Sequence, residues 1–356
     1  MMRASQRHRS WSAVRLCLAA ALLALDASSL SAQTPTEAPP HFRKLAHTYS
    51  IVAWDSATGD LGVVVQSKFP NVGGIVPWAR AGVGAVATQS LSNTAYGEGG
   101  LDLMAGGATA EEALRAVMRS DTMLQDRQVG MVDARGNAAS FSGANTFDWS
   151  GGRVGASGGR GSVAGGKGAV LVGRTFSAQG NIIVSERTVR NLAEAFERTR
   201  GGLADRLVAA LKAGQAGGGD KRGMQSASLL VVRKNGGYLG ANDRFIDIRV
   251  YDASDPIAEL ERLLALHKLH FFPSERQDLA PITPAIVAQL EPILLTEPAD
   301  QADKWLSRTQ GSANQAFLEA LRNFMYWENY DVRVRMDGKI DRVVLQDILA
   351  KRRSGR

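Results

Sequence analysis

From Thr48 onward, short apolar runs alternate with turn residues. Thr48-Tyr-Ser-Ile-Val-Ala-Trp54 and Asp60-Leu-Gly-Val-Val-Val-Gln-Ser-Lys68 are rich in β-branched and aromatic residues and flank Asp55-Ser-Ala-Thr-Gly59. That pattern predicts two strands joined by a tight turn. A further strand is expected at Val83–Gln89, and a hairpin where Gln128–Asp133 and Ala138–Phe141 flank Ala-Arg-Gly-Asn. Ser226–Arg233 and Arg244–Tyr251, around Asn235-Gly-Gly237, predict two more strands. Helical spacing of apolar residues marks Leu101–Arg119, with Thr109 as an N-cap and Glu111 and Glu112 in the first turn. The same spacing marks Ser185–Arg200, with Val189, Leu192, Ala193 and Phe196 on one face, then Leu203–Ala213 beyond a Gly-Gly break. Asp255-Pro256 starts a helix through about His270. Hairpin-linked strands with helices inserted as blocks predict an α+β fold of stacked antiparallel sheets covered by helices.

The ends of the chain have a different character. Arg3, Arg7, Arg9 and Arg15 precede a ten-residue apolar run, Leu16–Leu25, and small residues follow to Ser31-Ala32-Gln33. This is the pattern of a secretory signal peptide cut after Ala32, too short to span a bilayer. It implies a periplasmic or secreted protein. Cys17 lacks the Leu-Ala/Ser-Gly/Ala triplet of a lipoprotein signal, which argues against a lipid anchor. Residues 33–47 read as a Pro-containing linker, and 271–284, with Phe-Phe-Pro-Ser, Pro281 and Pro284, as a second one. Residues 285–356 read as a small helical module.

Composition and charge then narrow the function classes. The 356 residues carry 42 Lys+Arg and 35 Asp+Glu, a net charge of +7, and one Cys. Removing residues 1–32 takes away four Arg, one Asp and the Cys, leaving a cysteine-free chain of 324 residues at +4. A cysteine nucleophile and a zinc–thiolate site are thereby excluded. A charge of +4, with no basic run interleaved with aromatics, argues against nucleic acid as a partner.

Several features offer chemistry. Gly161–Gly168 has phosphate-loop spacing up to Lys167, but Gly168 stands where a hydroxyl residue should hold magnesium, within a tract, 151–173, of ten glycines that reads as a mobile loop. His267 and His270 share a helix face but lack nearby carboxylates to complete a metal site. No metal or other cofactor is called for. Three polar clusters sit at element ends: Gln66-Ser67-Lys68, Phe176-Ser-Ala-Gln179-Gly-Asn181, and Gly219-Asp220-Lys-Arg222-Gly-Met-Gln225-Ser226. Clusters in such places are what a cleft is built from.

These residues carry a resemblance. Thr48–Asp55, Gly62–Phe69, Trp78–Gln89, Phe176–Asn181 and Gly219–Ser226 resemble the uncharacterised DUF1028 family, which is grouped with the N-terminal nucleophile (Ntn) hydrolases. The likeness runs from about Thr48 to Leu269. Residues 285–356, ending in Asp337–Leu345, resemble the peptidoglycan-binding segment that often follows in this family. The resemblance implies an αββα sandwich over residues 48–270 and an amidohydrolase acting on a small molecule or peptide, including a cell-wall fragment. It implies Thr48 as nucleophile, with its own α-amine as base, and Lys68 as the cation that lowers the nucleophile's pKa. Asp220 and Ser226 would complete the catalytic set, and Ser67, Gln179, Asn181, Arg222 and Gln225 would bind substrate. Thr48 has a free amine only after a second cut, between His47 and Thr48. The alternative is a non-catalytic envelope protein that binds peptidoglycan or a small ligand. The sequence is silent on oligomeric state.

Overall fold

A computed structural model describes residues 48–146, 149–155, 161–165, 172–173, 175–296 and 305–354. The expected signal peptide and first linker lie outside the described residues. The chain is a mixed α and β protein with eight α-helices among the described residues.

The larger sheet has seven strands. In spatial order they are β12 (Arg244–Val250), β11 (Ser226–Val232), β2 (Leu61–Ser67), β1 (Thr48–Trp54), β10 (Phe176–Ile183), β7 (Trp149–Gly155) and β9 (Val172–Gly173). The second sheet has five: β3 (Pro77–Arg80), β4 (Gly84–Ser90), β5 (Arg127–Asp133), β6 (Ala138–Ser142) and β8 (Gly161–Gly165). All pairings are antiparallel except β6 with β8 and β7 with β9.

Period-two alternation sorts the side chains into layers. From β1, Tyr49, Ile51 and Ala53 pack on α3 (Glu186–Arg198) and α4 (Leu203–Ala216) through Leu192, Phe196 and Leu207. Its other face sends Val52, with Leu61, Val63 and Val65 of β2, against Ala85, Ala87, Val132 and Ala138 of the second sheet. That sheet's outer face, Val86, Val129 and Met131, is covered by α1 (Ala95–Ala105) and α2 (Ala110–Met118). Each buried Leu or Phe in these layers contributes about 2 kcal/mol.

Two expectations change. Leu101–Arg119 is two helices, not one, because Gly106 and Gly107 (φ +101) end α1 before Thr109 caps α2. The Thr109 hydroxyl accepts from the Glu112 N–H while the Glu112 carboxylate accepts from the Thr109 N–H, a reciprocal cap. The described parts of 151–173 are strands β7, β8 and β9 rather than loop. Gly161–Gly165 lies in the ladder beside β6, an arrangement unlike a phosphate loop; Lys167 and Gly168 lie outside the described residues.

The C-terminal part has its own core. It comprises α6 (Pro284–Leu294), α7 (Gln315–Trp327) and α8 (Arg342–Ser354), with a short ribbon of β13 (Leu279–Pro281) and β14 (Lys339–Asp341). Leu269, from the end of α5 (Pro256–Phe271), is buried in that core beside Phe317 and Tyr330. Arg333 joins the two parts. Its guanidinium donates to the carbonyls of Leu269 and Lys268, the last turn of α5, and pairs with buried Asp341.

Candidate functional site

The polar clusters converge at one end of the space between the sheets. Cross-strand register sets Thr48 opposite Ser67 on one side and Asn181 on the other, and Ser67 opposite Ser226. Thr48 is fully buried and its hydroxyl donates to Ser67 Oγ at 3.1 Å. Its carbonyl accepts from Gln89 Nε2 at 3.2 Å and, more loosely, from Asn181 Nδ2 at 3.5 Å.

Gln128, on β5, is the hub behind these donors. Its Oε1 accepts from Gln89 at 2.7 Å and from Asn181 at 2.8 Å. Its Nε2 donates to Ser142 Oγ and to the Gly180 carbonyl. Ser50 Oγ donates to Gln89 Oε1 and accepts from Gln179 Nε2, both at 2.6 Å, and Ser177 donates to Gln179 Oε1. All of these side chains are buried. The cost of dehydrating so many polar groups is offset only because nearly every one finds a partner. Asn181 Oδ1 is left without one.

The backbone is strained on both sides of this network. Ser90, just after Gln89, has φ +66, and Ile182, just after Asn181, has φ +48. A β-branched residue in that region is an outlier that costs about 1–3 kcal/mol and persists where its surroundings over-determine it. At Ile182 the β10–β7 register also shifts. The irregularity lies beside Asn181, as bulges commonly lie beside functional side chains.

The remaining predicted residues form a rim. Buried Asp220 accepts from the Lys68 backbone N–H at 3.0 Å and from the N–H and guanidinium of Arg222. It ties the end of β2 to the loop before β11. The Lys68 amine donates to the Met224 carbonyl at 3.2 Å, while the Thr48 hydroxyl goes to Ser67. Ser226 Oγ accepts from the Val72 N–H and donates to the Phe69 carbonyl, so it holds the turn after β2. Gln225 enters through its backbone, N–H to the Ser67 carbonyl. Thr48, Ser67, Gln179 and Asn181 are therefore gathered between the sheets, and Lys68, Asp220, Arg222, Gln225 and Ser226 stand around their edge.

Ser50, Gln89, Gln128 and Ser142 escaped the sequence reading. Their signal was polar residues at every second position near the ends of otherwise apolar strands, which places them inward with Thr48.

Among the described residues no group of three His, Cys, Asp or Glu lies close enough to hold a metal ion. No helix of the described residues is long and apolar enough to cross a membrane.

A family model for DUF1028, described as a family of unknown function, matches residues 48–159 and 156–260. The chain belongs to the DUF1028 family. The DUF1028 match begins at Thr48, and a second model, for a proposed peptidoglycan binding domain, matches residues 307–348. Among solved structures, this DUF1028 chain is similar to protein SPO2555 from Silicibacter pomeroyi, itself assigned to DUF1028. That likeness has 26% identity and a TM-score of 0.52, and covers 62% of this chain and 89% of that one. No curated protein matches the chain.

Proposed function

We propose that the protein is an exported amidohydrolase of the Ntn type, working in the periplasm or outside the cell on an amide of the cell wall. Its DUF1028 core is read as the αββα sandwich of that superfamily. Thr48, freed by a cut after His47, is the nucleophile.

The observation that carries this reading is the treatment of Thr48. Its hydroxyl is oriented by Ser67, its carbonyl is clamped by amides from both sheets, and the backbone is strained on either side of the clamp. A residue held this closely at the start of a central strand is fixed in place for precise chemistry. The start of the DUF1028 match at Thr48 is consistent with it.

With the cut made, the Thr48 α-amine has a pKa of about 8 and takes the hydroxyl proton at working pH. Oγ1 then bonds to the amide carbonyl carbon, the C–N bond breaks, and the proton passes to the leaving amine. Water hydrolyses the ester and restores Thr48. Lys68 contributes positive charge that favours the ionised hydroxyl. Asp220 positions Lys68 through its backbone N–H. Ser226 fixes the turn after β2. Ser67, Gln179, Asn181, Arg222 and Gln225 supply groups for the substrate.

Intact mass and N-terminal sequencing of the exported protein test this. A chain starting at Thr48 is expected, together with amine release from purified peptidoglycan that disappears in Thr48→Ala. A chain starting at Gln33, with unchanged amine release in Thr48→Ala, would overturn it.

A second reading has its own support. The Lys68 amine is spent on the Met224 carbonyl, and the Thr48 hydroxyl bonds Ser67 instead. On those grounds the core binds without catalysis, and the protein attaches to peptidoglycan through its C-terminal segment. Retention on purified peptidoglycan with no amine release would establish it.

A further inference from the structure

Five of the twelve large apolar side chains exposed among the described residues line a single cleft: Tyr238, Leu239, Leu266, Phe271 and Val332. The cleft has a volume of about 800 Å³. Its walls come from three places: the 238–240 turn with β12, the outer face of α5, and the turn 329–332. The first lies within residues 48–260, matched by the DUF1028 model, and the last within 307–348, matched by the peptidoglycan-binding model. The second model alone therefore covers only one wall.

One wall of the cleft is strained. Leu239 sits at φ +55, where glycine or asparagine is usual, and its side chain is 87% exposed. A turn serving only to reverse the chain has no need of a strained, exposed leucine. Tyr238 beside it is 71% exposed. Apolar surface gathered in this way marks a contact with something outside the chain.

The polar groups of the cleft define the ligand. His267 bonds the Phe245 backbone through one ring nitrogen, and its Nε2 is buried without a partner. Burial pushes the pKa of this histidine down, so the ring is neutral and Nε2 is an acceptor. Asn329 also lines the cleft, as does the exposed carboxylate of Asp331, which has no ion pair among the described residues. The other charges, Asp247 and Arg249, neutralise each other. Aromatic surface with acceptors and one free carboxylate suits a molecule with apolar ring faces and several O–H and N–H donors. It disfavours phosphates and other anions. An acetamido-sugar strand has that chemistry.

We propose that this cleft is a peptidoglycan-binding site built jointly by the DUF1028 core and the C-terminal segment. It takes the N-acetylated glycan of the wall with sugar faces against Tyr238 and Phe271 and donors on His267, Asn329 and Asp331. The inference rests on the reading that this chain attaches to peptidoglycan.

The test uses the full chain in co-sedimentation with purified, insoluble peptidoglycan. Tyr238→Ser with Phe271→Ser replaces exposed side chains, and thermal melting checks that the fold is kept. Roughly tenfold weaker binding is expected for the double variant, and a smaller loss for Asp331→Asn. If the native chain binds and the double variant binds equally well, the cleft is not the site, although attachment to the wall stands. If the native chain does not bind at all, both ideas fall. Sedimentation equilibrium supplies the remaining arm: a native dimer that the double variant turns into a monomer means a second copy covers the cleft, which overturns the proposal.

Discussion

The two ends of the space between the sheets are crossed by the same strands yet differ completely in chemistry. At one end Val52, Leu61, Val63, Ala85, Ala87 and Val132 meet as apolar surface. At the other, Thr48, Ser50, Gln89, Gln128, Gln179 and Asn181 meet as a hydrogen-bonded network. Apolar contact stabilises without preferring a direction. An amide network specifies where each atom lies, and it costs stability as soon as one member is missing. The apolar end therefore holds the sheets together, and the polar end fixes the position of Thr48.

The sharpest test of that contrast is Gly130→Ala at the polar end. A Cβ there would stand 2.1 Å from Gln179 Oε1, so Gln179 must leave both Ser50 and Ser177. Overpacking together with orphaned polar groups is expected to cost about 4 kcal/mol in urea unfolding. A cost under ~1 kcal/mol would show that the network is loosely packed. Leu61→Ala at the apolar end should cost about 3 kcal/mol while leaving the mass of the mature chain unchanged. Altered processing in that variant would mean the two ends are not separate in role. Gln128→Leu keeps most of the volume but leaves the Gln89 and Asn181 amides with only the Thr48 carbonyl as acceptor. We expect a loss of about 2 kcal/mol and slower formation of the Thr48 terminus by intact mass.

The smallest effect concerns pH. Just outside the polar end, Asp121 is bound by Arg127, Tyr96 and the Met123 N–H. Burial pushes this carboxyl up, but the Arg127 and Tyr96 hydrogen bonds, the Met123 N–H and the Arg127 charge outweigh it and hold the pKa at about 2. Its value is lower in the folded than in the unfolded chain. The stabilisation is therefore complete above about pH 4, the unfolded value, and is lost as pH falls through 2. Urea midpoints measured between pH 5 and pH 2 should fall less steeply in Asp121→Asn than in the native chain. Identical slopes would remove Asp121 from the account.

Much of the fold was legible because local signals agreed with burial. Thr109 and Glu112 announced their cap, and Val189, Leu192, Ala193 and Phe196 are all buried on α3. The 48–54 and 61–67 strands followed from β-branched runs around a Gly-containing turn. Strand β3 was missed because Pro77-Trp-Ala-Arg80 is short and half-buried, with no alternation to read. The glycine-rich stretch misled because its described strands rest on ladder hydrogen bonds, which composition does not record. At the candidate site, Thr48 and Ser67 were legible as polar ends of strands, and Gln179 and Asn181 as a polar cluster at an element end, although strand β10, which carries them, was not read. Gln89 and Gln128 were missed: alternation along their strands turns them inward, but it does not say that the face they meet is the one carrying Thr48.

The Arg333 fork has a mechanical consequence. If the wall grips the C-terminal helices, tension does not travel through the 272–283 connection alone. It also passes through the guanidinium into the carbonyls of Lys268 and Leu269, and so along the axis of α5. Because that helix packs on β11 and β12, the pull is spread over the large sheet as a shear load. Parallel bonds in shear yield together rather than one by one, so a protein tethered in this way resists being peeled from its anchor.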